Sequence, residues 1–186
     1  RMQARRADGE ESRRALTRIA ARLYAVAQVH ASRSEDAEAQ INLRDVARQI
    51  LEQMGQSVVD SDGRIHLEVQ GMDVLLPPRA ATSCALIVTE LVLNALEHGL
   101  RNQPQGSIIV GVEESQGRVQ LSVMDNGSGL PPDFSLAASS NLGLTIVQTL
   151  AEDLHGSINL IEREGVTAVV TFPRLLTGEE AWTKPK

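Results

Sequence analysis

Apolar positions along this chain repeat with two periods, and the switches between them mark out its elements. Leu16, Ile19, Ala20, Leu23, Ala27 and His30 recur at steps of three and four, the spacing of one helix face. Asp8-Gly9-Glu10, just ahead of them, predicts a turn. Residues 1–7 would then be the tail of an earlier helix, giving a helical hairpin cut short on its first arm. The polar, acidic stretch 32–40 predicts a linker, with the main domain boundary near Gln40. Asn42 then predicts a helix cap, with Asp45 favouring the amino end, and Gly55 predicts the stop. Leu43, Val46, Ala47, Ile50, Leu51 and Met54 form the stripe of that helix.

Further on, the period drops to two. Ile65, Leu67 and Val69 predict a strand, Gly71-Met72-Asp73 a turn, and Val74-Leu75-Leu76 a second short strand stopped by Pro77-Pro78. The apolar run 85–100 reads as one buried helix. Residues 108–114 and 118–124 predict a hairpin across Ser115-Gln116-Gly117. Residues 130–141, with Pro131, Pro132 and Ala137-Ala138-Ser139-Ser140, suit a mobile loop. A helix over 142–154 follows, then strands over 157–161 and 166–172, and a polar tail that frays. After the partial hairpin the order is α-β-β-α-β-β-α-β-β. That order predicts an α+β fold, a two-layer α/β sandwich in which a mixed sheet carries its helices on one face.

Composition narrows the classes. With 186 residues, 42% of them apolar, the chain is long enough for a real core, and with aromatics at 2% that core is aliphatic. A net charge of -6 argues against nucleic-acid binding. The arginines at 1, 5, 6, 13, 14, 18 and 22 nevertheless crowd the amino end. Such a run reads first as the solvated face of a helix, with a phosphate- or acid-binding surface as the alternative. One cysteine, Cys84, excludes a disulfide framework and predicts a reducing, cytoplasmic compartment. No uninterrupted apolar stretch is expected to cross a bilayer, and a start in mid-helix predicts a fragment of something longer.

The chemistry-bearing residues fall in three places. Glu90, Asn94, Glu97 and His98 are spaced i, i+4, i+7 and i+8 on the buried helix, so they share a face. A buried polar stripe needs compensation. A divalent metal carrying phosphates is one candidate, with Asn94 as an oxygen ligand and Glu90 nearby; a polar face toward solvent or a partner is the other. Asp125-x-Gly127-x-Gly129 closes a strand. Many turns look like it, but with a purine present the carboxylate would accept the exocyclic amine hydrogens that adenine has. Gly143-Leu144 opens a helix, where backbone amides could meet phosphate. His30 could accept a phosphoryl group; a packed or capping histidine is the plainer reading.

Together, in this order and spacing, these segments resemble the N box and the two glycine boxes of the GHKL ATPases, over about residues 41–175. Met2-Gln3-Ala4-Arg5-Arg6, the segment 16–30, Ala151-Glu152-Asp153-Leu154-His155-Gly156 and Val170-Thr171-Phe172-Pro173 resemble the HWE-related sensor histidine kinases. The resemblance implies a partial dimerisation and phosphotransfer hairpin over 1–40, a catalytic ATP-binding domain over 41–175 and a polar tail over 176–186. It implies ATP and Mg²⁺ as cofactors, a response-regulator receiver domain as partner, and a homodimer formed through the hairpin. Asn94 would ligate Mg²⁺, and Glu90 would assist proton removal or orient the attacking imidazole. Asp125, with Gly127 and Gly129, would read adenine, helped by Thr167 through water. Gly143 and Leu144 would meet phosphates or base, and His98 would complete the nucleotide site. The phosphoacceptor histidine would lie upstream of Met2, and His30 does not match it.

Two departures stand out. Glu97 occupies a position where histidine kinases often carry a phosphate-contacting cation, and Asn94-Ala95-Leu96-Glu97-His98 resembles the anti-sigma-factor serine kinases. The loop before Gly143 is short, with Phe134 its one aromatic and Ser140-Asn141-Leu142 where a glycine cluster is usual. A serine kinase or a non-catalytic nucleotide-binding scaffold are therefore the competing readings.

Overall fold

The structure is a computed structural model that describes residues 2–32, 40–57, 63–101, 103–136 and 141–174. The centre of the expected linker, Ala137-Ala138-Ser139-Ser140 and the tail over 176–186 lie outside the described residues.

The elements are α1 (Met2–Ala31), β1 (Ile41–Asn42), α2 (Leu43–Ser57), β2 (Ile65–Gly71), β3 (Leu75–Leu76), α3 (Pro78–Asn94), a π-turn (Ala95–Gly99), β4 (Gly106–Ser115), β5 (Arg118–Asp125), α4 (Leu142–Asp153), β6 (Ser157–Arg163) and β7 (Gly165–Pro173). Five strands form one mixed sheet in the order β2-β4-β5-β7-β6, parallel only between β2 and β4. Period-two alternation sends Ile108, Val110, Val112, Val119, Leu121, Val123, Val170 and Phe172 to one face, where they are buried. Helices α2, α3 and α4 cover that face. The expected two-layer α+β architecture is the one observed.

Local predictions hold where periodicity is strong. Every residue of the α2 stripe is buried, and Asn42 Oδ1 accepts from the Arg44 N–H at 3.0 Å as the expected cap. Four predictions need correction. Helix α2 runs past Gly55 to Ser57, and Gly55 packs near Leu67 instead of ending it. Strand β3 is shorter than expected, Leu75–Leu76 without Val74. Gly71, at φ 99°, packs in register against the Val112 backbone, where a Cβ would clash with the Val112 carbonyl, and the Met72 N–H donates to Val112 O at 2.9 Å; beyond this turn β3 pairs antiparallel with β1. Asp8-Gly9-Glu10 makes no turn, because α1 is continuous from Met2 to Ala31; one glycine costs a helix only about 1 kcal/mol.

The fourth concerns the core helix. The 22 residues of Pro78–Gly99 are long and apolar enough to cross a membrane, against expectation. They are instead packed inside the domain, between the sheet and helices α1, α2 and α4, and they carry the buried Glu90.

The packing of α1 inverts its predicted orientation. Its apolar stripe is on the outside: Leu16 is 66%, Ile19 51% and Leu23 68% exposed. The face turned toward α3 and α2 carries Arg18, Arg22, Ala25 and Val29, the last two fully buried.

Candidate nucleotide site

Glu90 explains that inversion. Its side chain is fully buried in α3, where an unpartnered carboxylate would be costly. Arg18 Nη1 donates to Glu90 Oε2 at 3.0 Å and Arg22 Nε donates to Glu90 Oε1, so both oxygens are held. The bond to Glu90 raises the Arg22 guanidinium above its ordinary pKa, against the opposing effect of its partial burial. The arginine run thus turned its acid-binding side inward. Arg13, by contrast, is exposed.

One turn later, Asn94 ends α3 and the helix widens into the π-turn, closed by the Leu100 N–H on Ala95 O at 2.8 Å. Glu97 faces α1, where Arg18 Nη2 meets its Oε2 at 2.6 Å. His98 and Gly99 face the other way, onto a cavity of about 240 Å³.

That cavity is where the three segments meet. Asn94 and His98 line it from α3 and the π-turn, Asp125 and Gly129 from the end of β5 and the loop beyond, and Leu144 from α4. Leu91, Val123, Leu160, Val166 and Ala168 supply apolar walls. Asp125 is 8% exposed; burial pushes its carboxyl above the ordinary value, and the N–H groups of Gly127 and Val166 pull it back. Its Oδ1 accepts from Gly127 N at 2.8 Å and from Val166 N at 3.4 Å. Gly99 and Gly127 make the close approach possible. A Cβ on Gly99 would lie 2.9 Å from Asp125 Oδ1, and one on Gly127 would lie 2.5 Å from the Gly99 carbonyl carbon. Gly127, Glu90 and Gly143 stand behind the cavity wall; a Cβ on Gly143 would lie 2.7 Å from Glu90 Oε2.

Two expectations for this site change. Thr167 is not in the cavity. Alternation on β7 puts Val166 and Ala168 on the cavity side and Thr167 on the opposite sheet face, beside Met124 and Ile161. The amides at the start of α4 do not point outward unmet, because Asn141 caps the helix. Its Oδ1 accepts from Gly143 N at 2.8 Å and from Leu144 N at 3.4 Å. Asn141 also lines the cavity, its Nδ2 3.5 Å from His98 Nε2 and 3.5 Å from Asn94 Oδ1. Gly99, Asn141, Arg18 and Arg22 are site residues that motif reading passed over. The signal for the arginines was present: two cations at i, i+4 on α1 match the acids on α3.

The residues suit a nucleotide. A mostly apolar cavity is lined by a buried carboxylate, Asp125, and Asn94 Nδ2 is buried with no hydrogen-bond partner. Among the described residues no group of three or more His, Cys, Asp or Glu could hold a metal unaided. A metal here would come with the phosphates and take Asn94 Oδ1 as its protein ligand.

Residues 80–176 match the family described as histidine kinase-, DNA gyrase B- and HSP90-like ATPases, and residues 1–58 match a histidine kinase family. The chain belongs to the histidine kinases. It is 38% identical over 173 residues to the sensor histidine kinase PdtaS of Mycobacterium tuberculosis, covering 91% of this chain and 34% of that protein. Against PdtaS of Mycolicibacterium smegmatis it is 36% identical over 177 residues, covering 93% and 35%. The chain therefore spans about a third of the length of these relatives. Among solved structures, the histidine kinase domain of a blue-light-activated kinase from Erythrobacter litoralis superposes with a TM-score of 0.73 at 26% identity, covering 94% of this chain and 82% of that one. The ATP-binding domain of PrrB from Mycobacterium tuberculosis, at a TM-score of 0.59 and 20% identity, shares the fold. The match to the ATPase family begins within α3, and the matched histidine-kinase segment takes in both α1 and α2. The serine-kinase alternative is not favoured.

Proposed function

We propose that this chain is the catalytic portion of a two-component sensor kinase, moving the γ-phosphoryl of ATP to a histidine on a preceding helix and onward to a response-regulator aspartate. The observation that carries the reading is the single cavity shared by Asn94, Asp125 and Leu144, which come from three separate stretches of sequence. Asp125 would accept the adenine amine, while Gly99 and Gly129 would let backbone approach the ring and Gly127 would let Gly99 pack close behind it. His98 and Asn141 line the cavity beside Asn94, with Asn141 Nδ2 3.5 Å from both His98 Nε2 and Asn94 Oδ1. When bound, Mg²⁺ would neutralise phosphate charge. Glu90 would orient the attacking imidazole once freed from its arginines. The exposed stripe Leu16, Ile19 and Leu23 would pack in a homodimeric helical bundle, and the working location would be the cytoplasm.

A chain extended at its amino end and incubated with labelled ATP tests this. Acid-labile phosphate should form, and Asn94→Ala should abolish it while leaving circular dichroism unchanged. Acid-stable phosphate would turn the reading toward a serine kinase. Nucleotide binding without any label would turn it toward a scaffold.

A further inference from the structure

The Arg18 guanidinium makes more contacts than a helix-docking pair requires. Besides Glu90 it donates from Nη2 to Asn94 Oδ1 at 3.1 Å, and it meets Glu97 from Nε at 3.2 Å and from Nη2 at 2.6 Å. It also stands beside α4, where a Cβ on Gly143 would lie 3.0 Å from Nη1. A guanidinium is donor-only, so it fixes which way the Asn94 amide points. The oxygen faces Arg18, and Nδ2 is left buried without a partner. Arg18 therefore holds the oxygen that a phosphate-bound metal would need, and its positive charge beside that oxygen opposes a second cation there.

We propose that Arg18 gates the metal-and-phosphate half of the site. While α1 is docked it holds Asn94, and a metal-bound nucleotide loads only when Arg18 lets go. This rests on the nucleotide reading above. It also gives the acid at position 97 a role: Glu97 tethers the gate. Arg18 is a positioning residue in this scheme, because it acts through Asn94, Glu97 and Glu90. The base pocket around Asp125 lies outside its reach, so adenosine binding is indifferent to the gate. Leu16 and Ile19 flank Arg18 on the outward face of the same helix. A partner helix that shifts that stripe would move the guanidinium with it.

Calorimetric titrations with adenosine, with ADP plus EDTA and with ADP plus Mg²⁺ test the gate, on the unmodified chain, Arg18→Gln and Glu97→Gln. Both substitutions should tighten ADP·Mg²⁺ by roughly five- to a hundredfold, the usual span of coupling between sites, and leave adenosine unchanged. Glu97→Gln carries the test if Arg18→Gln fails to fold, because Glu97 is partly exposed and its loss strands no buried carboxylate. Coupling is reciprocal. Saturating ADP·Mg²⁺ should therefore speed hydrogen exchange of the α1 amides from 18 to 29, and adenosine should not. Weaker ADP·Mg²⁺ binding in the variants would show that Arg18 contacts phosphate, and unchanged binding or exchange would show no gate; either overturns the proposal. If adenosine fails to bind every form, the nucleotide reading falls first and the gate with it.

Discussion

Asp125 is a carboxylate held in a dry place by two backbone N–H groups, with one edge left toward the cavity. If that edge reads adenine, Asp125→Asn replaces a charge-assisted acceptor of about 1.5–3 kcal/mol, and the affinity for ADP should fall roughly ten- to a hundredfold by calorimetry. The same burial has a pH signature. Its native pKa is raised above the ordinary value of 3.8, so the folded state binds the proton more readily than the unfolded chain. Its contribution to stability is present below the ordinary value and is lost as pH rises through the raised one. Urea unfolding across acidic pH should show that loss, and Asp125→Asn should remove it. The residue's identity was legible because Asp-x-Gly-x-Gly closes a strand. The exclusion of Thr167 from the site could have been read from alternation on β7, where it falls out of phase with Ala168, Val170 and Phe172.

Helix α1 is the element whose reading changed most. It offers two plausible inner faces, one apolar and one basic, and a helix wheel prefers the apolar one. The basic face won because α3 presents Glu90, fully buried, and the arginines lie within reach of it. Removing Arg22 should cost about 1–3 kcal/mol in urea unfolding. That is below the 3–5 typical of a wholly buried pair, because Arg22 is 26% exposed and Arg18 remains. The outer stripe predicts the opposite behaviour. Leu23→Glu should leave the stability of this chain within about 0.5 kcal/mol, since the side chain is exposed. In the amino-terminally extended protein it should shift the oligomer toward monomer by light scattering. The π-turn is a second element that no pattern announced. Its wider loop turns Glu97 to α1 and His98 to the cavity, separating two neighbours that a regular helix wheel placed on one face.

On the scale of the whole molecule, an aliphatic sheet and three helices hold three distant segments around one cavity. A ligand filling it should stabilise the entire fold. ATP with Mg²⁺ at a hundred times its dissociation constant should raise the melting temperature by on the order of 5–10 °C, and GTP should leave it unmoved. Equal shifts would remove Asp125 from base recognition. The sequence by itself determined the class of each strongly periodic segment, their order, and the three clusters of polar residues. Those are local properties, set by side-chain spacing and by caps such as Asn42 and Asn141. Only the tertiary structure decided that β3 pairs with β1 outside the main sheet and that α1 turns its arginines inward. The physical reason is distance along the chain. Arg22 and Arg18 find Glu90 across 68 and 72 positions, and a buried charge selects its partner in space, where no local period can register the choice.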